Sequence, residues 1–238
     1  MLVKGGRYVD PAEAEWTRLA RELTDLPVPE VYHVCKWGRE THIYLELLPG
    51  SRSASFMLSH KPANDAVRVR FTSDLHSIVQ KLSAVKAPAG ALVGGFGGKN
   101  LDAFSDFWEE GSKAPAPLTS SEAFNAWLKA EFIAGPGHSQ TTWETEVEPL
   151  LDPNAPLVLV HGHLNEYTLL MDDDGRITGI TDWDLAGWYP EWMPLYQAMG
   201  QRYGAGMMKT VAREMVGFEE ELEKYKALRH VGEAVELW

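Results

Sequence analysis

Residues 159–190, "LVHGHLNEYTLLMDDDGRITGITDWDLAGWYP", decide how the rest of the chain is read. They continue an apolar run, "PLVLV" at 156–160, whose length and composition suit a buried strand ending at His161. "YTLLM" (167–171) and "RITGI" (176–180) flank "DDDG" (172–175), and Asp-Gly between two apolar runs is a strong hairpin signal. Between strand and hairpin lies a polar loop containing His161 and His163. After the hairpin comes an acidic turn, Asp182-Trp183-Asp184. Two histidines and two carboxylates therefore bracket one hairpin, and these residue types suit general acid–base chemistry on a bound small molecule. The His161-Gly162-His163 pair followed by an Asp also has zinc-ligand chemistry. It follows two-thirds of the chain, however, whereas the amidohydrolase arrangement places such a pair on an early strand.

Outward toward the N-terminus, "LVK" (2–4) reads as the end of a short strand before a Gly-Gly turn. "DPAEAEWTRLARELTDL" (10–26) reads as a helix, with Asp10 as N-cap, Pro11 at the first helical position, and Trp16, Leu19, Ala20 and Leu23 as the apolar stripe. "PEVYHVCKWG" (29–38) and "THIYLELL" (41–48) read as strands joined by a hairpin connection. "LPGSRS" breaks the pattern and is expected to be a hinge near residues 47–51. Beyond it the character is helical: "NDAVRVRFTSDLHSIVQKLSAV" (64–85) has apolar residues at helical spacing, and "SEAFNAWLKAEFI" (121–133) follows a cap at Ser120 or Ser121. Helices are also expected to fill the C-terminal part, including "EEELEKYKALRH" (219–230). The order is an α+β plan in two lobes.

Composition bounds the partners. Of 238 residues, 45% are hydrophobic and 24% charged, a soluble globular profile with a sizeable core. A formal net charge of -12 argues against nucleic acid, whose phosphates demand clustered Lys and Arg, and against an anionic membrane surface. The single cysteine, Cys35, excludes an internal disulfide and reads as a buried structural thiol. No apolar run approaches the roughly 20 residues of a membrane span. The N-terminus lacks the apolar core of a signal peptide, so the expectation is a soluble, cytoplasmic protein. The glycine-rich "GGFGGKN" (94–100) lacks the first Gly and the terminal hydroxyl of a phosphate-binding loop and is expected to be a flexible surface loop.

The frame from His161 to Trp192, "HGxLxxxxLL" followed by "DDGRITGITDWDLAGWYPEW", resembles the catalytic segment of the aminoglycoside phosphotransferase family within the protein-kinase-like superfamily, its fungal-type members in particular. "LPVPEVYHV" and "IYLELLPG" resemble strand and hinge signatures of the same group, so the resemblance runs over nearly the whole chain. It implies a bilobal protein-kinase-like α+β fold, one domain over 1–238 with a small N-terminal lobe (1–48) and a mainly helical C-terminal lobe (49–238). It also implies roles. Lys4 matches the lysine that grips nucleotide phosphates, Glu15 the helix glutamate paired with it, and Asp182 the magnesium-holding carboxylate. His161 matches the loop histidine, mainly structural in the family. Asp184 keeps the acidic character common at its position.

Three departures set the function in question. His163 stands where the family has its catalytic Asp, and Thr168 where it has a second metal-binding Asn. The strand bearing Lys4 opens the sequence, so the glycine-rich hairpin that covers ATP phosphates is expected to be missing from a reduced N-terminal lobe. Phosphoryl transfer rests on positioning and charge neutralisation, so these losses predict inefficient transfer and no resident cofactor, with magnesium-ATP only if transfer is retained. If magnesium is retained, Asp182 and Thr168 would hold it. Otherwise His163, Asp182, His161 and Asp184 form the candidate catalytic set. Three functions stay open: repurposed acid–base chemistry on a small-molecule metabolite, a non-catalytic pseudokinase-like binder of small molecules or protein, and residual ATP-dependent phosphotransfer.

Overall fold

The computed structural model describes residues 1–48, 52–60, 65–96, 117–134 and 138–194. Near the N-terminus, β1 (Leu2–Gly6), β2 (Val31–Trp37) and β3 (Glu40–Leu45) form an antiparallel sheet in the order β1-β3-β2. Lys4 pairs with Ile43 in this register, which fixes the strand that carries it. Helix α1 (Ala12–Leu23) crosses between β1 and β2. Its start follows the expected chemistry: Asp10 Oδ1 accepts the N–H of Ala12 at 2.8 Å, and the Asp10 carbonyl accepts that of Glu13 at 3.1 Å.

Helix α1 serves two cores. Ala14 packs with Val31, Ile43 and Leu45 against the sheet. Trp16 and Ala20 instead join a larger cluster with Phe71, Leu75 and Leu82 of α3 (Asp65–Ala84). This division holds the helix between the sheet and the rest of the chain, so residues on its first turns are set in position from both sides.

The remaining described strands are short. β4 (Arg52–Ser53), β6 (Leu169–Met171) and β7 (Ile177–Ile180) pair in the order β4-β6-β7, while β5 (Leu157–Val160) pairs antiparallel with β8 (Gly187–Pro190). The hairpin expected at 172–175 is present. Asp172 Oδ1 accepts the N–H groups of Asp174 and Arg176, each at 3.0 Å, and Gly175 supplies the left-handed position at φ 85°. α2 (Ala54–His60) follows β4, and α4 (Ser121–Ala134) starts at a Ser120 cap whose Oγ accepts the Ala123 N–H at 3.1 Å. A helical stretch over 140–150, including a wide-turn segment Trp143–Val147, was not anticipated from sequence.

Two expectations are corrected. Cys35 is half-buried, not buried, because β2 presents it toward the rim of a three-stranded sheet. Gly94 and Gly95 are not surface loop: both are buried, and Gly94 exchanges two hydrogen bonds of 2.9 Å with Trp188. A Cβ at Gly187 would press on the Gly94 carbonyl, which gives the close approach a physical reason for glycine. Most of the expected hinge, residues 97–100 of the glycine-rich run and the helix expected over 219–230 lie outside the described residues. Among the described residues no helix is long and apolar enough to cross a membrane.

Candidate functional site

Lys4, on β1, reaches across to the acidic turn. Its Nζ lies 3.0 Å from Asp182 Oδ1 and 2.9 Å from Glu13 Oε1, donating a hydrogen bond to each. Residues 178 positions apart are thereby joined, and the expectation that Lys4 faces Asp182 is met in the geometry. The helix partner differs from expectation. Glu13, with 3% of its side chain exposed, takes the place assigned to Glu15, which instead bonds Arg18 on the surface at 3.0 Å. The reason is helical phase: residues 13, 16, 17 and 20 share the buried face of α1, and residue 15 falls outside it.

Burial drives the electrostatics of this triad. Loss of water pushes the Glu13 carboxyl up to about 7, against the opposing pull of Lys4. Its Oε2 lies 2.8 Å from the same ammonium, so both oxygens of the carboxylate face Lys4. For Lys4, burial pulls downward and is outweighed by Glu13 and Asp182, which hold the ammonium above its ordinary value. Lys4 therefore stays charged through neutrality, and Glu13 is the member that titrates.

The loop 161–168 is braced from within. His161 is buried, its ring 4.5 Å from that of Trp183. Its Nε2 donates to the Thr181 carbonyl at 2.8 Å, and its Nδ1 accepts the backbone N–H of His163 at 3.2 Å. Burial lowers its pKa to about 4, so the ring stays neutral. With both ring nitrogens engaged within the fold, the geometry gives His161 a bracing role in the loop. Thr168 faces inward, into the loop that it closes. It is 2% exposed, and its hydroxyl donates to the His163 carbonyl at 2.9 Å while accepting the Asn165 N–H at 3.2 Å. Asn165 Oδ1 in turn accepts the N–H groups of Tyr167 and Thr168. Sequence reasoning missed Asn165; an Asn two residues before a polar N–H is an Asx-turn signal that could have found it.

His163 and Asp184 are half-buried on the open side of this loop. Burial raises the Asp184 carboxyl, Lys4 and His163 pull it down, and Asp182 raises it further, so the four groups share one electrostatic neighbourhood. Asp182 is held at φ 62°, left-handed and strained for a residue with a Cβ, a conformation retained where surrounding structure enforces it. The donor set does not fit a magnesium ion held between two protein oxygens: one Asp182 oxygen faces an ammonium, and the Thr168 hydroxyl is committed to its loop. Among the described residues no group of three or more His, Cys, Asp or Glu is arranged to hold a metal.

Glu13 and His161 oppose each other in pH linkage. Glu13 has a folded pKa of about 7 against 4.5 unfolded, so the folded state binds the extra proton between those values and its contribution falls as pH rises through them. His161, lowered from 6.5 to about 4, contributes the reverse slope between those values. Glu13→Gln should remove only the first. Its stability relative to the unaltered protein is expected to climb as pH rises from 4.5 to 7, measured by urea unfolding. Parallel pH curves for the two proteins would show that Glu13 does not titrate in this window.

Residues 11–209 match the family described as the phosphotransferase enzyme family (APH). Comparison with curated proteins finds no match. Among solved structures the chain is similar to a "Macrolide 2'-phosphotransferase type I", with 15% identity and a TM-score of 0.44, covering 93% of this chain and 70% of that one. With most of its length matched, the chain belongs to the phosphotransferase enzyme family, and its α+β architecture of small antiparallel sheets and helices is the kinase-like fold of that family.

Proposed function

From this family membership, we propose that the chain acts on a small-molecule metabolite by proton transfer in the Lys4–Asp182 cleft, with efficient ATP-dependent phosphoryl transfer lost. The observation that carries the reading is the fate of Thr168. Where an outward oxygen ligand would be needed, its hydroxyl closes the loop from beneath and holds the His163 carbonyl at 2.9 Å. This leaves the backbone of His163 held on both its N–H and its carbonyl, with a half-buried imidazole at the loop. Imidazole is the side-chain type whose charge changes between about pH 5 and 8, the requirement for a general base at neutrality. His163 takes a proton from a bound O–H or N–H group. Asp184, whose burial favours the neutral acid, is the group within electrostatic reach to return one.

A second reading, residual ATP-dependent phosphotransfer, is favoured by one observation: Lys4 still bridges a helix carboxylate and Asp182. Calorimetric titration with ATP and magnesium separates the two. No saturable heat is expected for the unaltered protein, nor for His163→Asp combined with Thr168→Asn. Low-micromolar, magnesium-dependent ATP binding, or ATP consumption gained by the double variant, would establish phosphotransfer instead.

A further inference from the structure

Two of the most exposed aromatic side chains lie at one end of the N-terminal sheet, Tyr8 at 100% and Trp37 at 80%. Gly6 pairs with Thr41, so Arg7 and Tyr8 leave β1 where β2 turns into β3. That turn is two residues, Gly38-Arg39, between the paired Trp37 and Glu40, and Gly38 supplies its left-handed position at φ 62°. With strands about 4.8 Å apart, the two segments sit within roughly 10 Å of each other. We propose that this end of the sheet binds an extended acidic segment of a partner protein.

Charge selects the partner. Arg7 and Arg39 are exposed, as is Lys36 beside them, and among the described residues none of the three has an ion pair, a hydrogen bond or a ring contact. Most described cations elsewhere are engaged: Arg21 meets Glu46 at the opposite end of the same sheet, Lys81 meets Asp25, and Lys129 meets Glu148. Two carboxylates lie near the arginines and neither pairs with them, since Asp10 caps α1 and Glu40 lies 3.4 Å from His42. Guanidinium groups pair with carboxylates by short charge-assisted hydrogen bonds, and alternate residues of an extended peptide stand about 6.8 Å apart, a spacing that lets two carboxylates meet Arg7 and Arg39. An apolar side chain in the same segment covers Trp37 and Tyr8, and Trp, Tyr and Arg are the residue types that dominate protein-binding surfaces. A membrane or nucleic acid would bring an extended anionic surface against a chain of net charge -12. A short segment pairs locally, and salt screens the remaining charge beyond about 8 Å. The inference is independent of the proton-transfer reading.

A fluorescein-labelled peptide, Glu-Ser-Glu-Ser-Phe-Ser-Glu, tests this on the full chain by anisotropy. Saturable binding that weakens as sodium chloride rises is expected, and none for the counterpart in which Gln replaces each Glu. Arg7→Glu and Arg39→Glu should each weaken binding about tenfold or more, the loss of one charge-assisted contact apiece, and Trp37→Ala should weaken it several-fold. Arg176→Glu is the control: it makes the same change in net charge at an exposed arginine of the β6–β7 hairpin and should leave affinity unchanged. Absence of saturable binding overturns the proposal, as does full affinity in both Arg7→Glu and Arg39→Glu, or equal binding of the Gln peptide. An equal loss in Arg176→Glu also overturns it, by making the effect one of net charge. Tighter binding to phosphatidylserine vesicles or to a thymidine oligonucleotide would assign the surface to a membrane or to nucleic acid instead. Arg7 lies outside the turn, so Arg7→Glu decides the matter if Arg39→Glu alters the hairpin.

Discussion

Gly162→Ala is expected to lower unfolding free energy by roughly 4 kcal/mol or more, the range reserved for substitutions that break a specific structural device. Two effects add. Gly162 sits at φ 88°, where a Cβ costs about 1–2 kcal/mol on its own. The stronger effect is steric. A Cβ there would overlap the Leu185 carbonyl and lie 2.5 Å from the Leu185 Cβ. That backbone cannot easily retreat. Ala186 donates to the Trp183 carbonyl at 3.1 Å, and the Trp183 indole donates to the Ile180 carbonyl at 3.0 Å. The loop bearing His163 and the turn bearing Asp182 and Asp184 are thus pressed together at one glycine. Gly38→Ala provides the control, with φ 62° and nothing within 4 Å of the added carbon. It should lose only about 1 kcal/mol. Equal urea midpoints for the two variants would show that the contact at Gly162 relaxes without resistance.

This contact also marks the limit of what the sequence made legible. Hairpin, buried strand, long helix and helix caps all followed from local chemistry. Asp172-Gly175, the apolar run at 157–160 and Ser120 each act within a few residues of themselves. The ends of α1 were placed within a few residues for the same reason. What failed was phase and long-range pairing. Glu13 and Glu15 both lie in the first turn of α1, and only extending the stripe of Trp16 and Ala20 back one turn selects Glu13. The family frame pointed to a helix glutamate, and the helix periodicity decides which one. Thr168 was legible as a departure from the family's Asn but not as a brace, because a hydroxyl both donates and accepts and its partners depend on how the loop closes. The buried pairing of Gly94 with Trp188 joins segments 94 residues apart, and no local pattern announces it.

Lys4→Met is the substitution that asks what the ion triad is for. Replacing the ammonium leaves Glu13, 2% exposed, without its counter-charge, and leaves Asp182 facing it. Breaking a fully buried pair costs about 3–5 kcal/mol. Lys4 and Asp182 keep 32% and 43% of their side chains exposed, so solvent screening reduces the expected loss to roughly 2–3 kcal/mol at pH 8. The loss should shrink on acidification. Lys4 is the main group pulling the Glu13 carboxyl down against burial, so without it the carboxyl rises above about 7 and Glu13 takes up a proton at pH 6. A neutral acid in an apolar niche needs no counter-ion. Lys4→Met combined with Glu13→Gln should therefore recover most of the stability at pH 8, a coupling read directly from the double-mutant cycle. The alternative is a lysine retained for a bound ligand's charge. Such a residue contributes little to the free protein, and functional groups held for a ligand are often neutral or adverse to stability. An Lys4→Met variant as stable as the unaltered chain at pH 8 would assign the ammonium to a ligand. A loss of about 2 kcal/mol that disappears at pH 6 would assign it to holding α1 against the Asp182 turn.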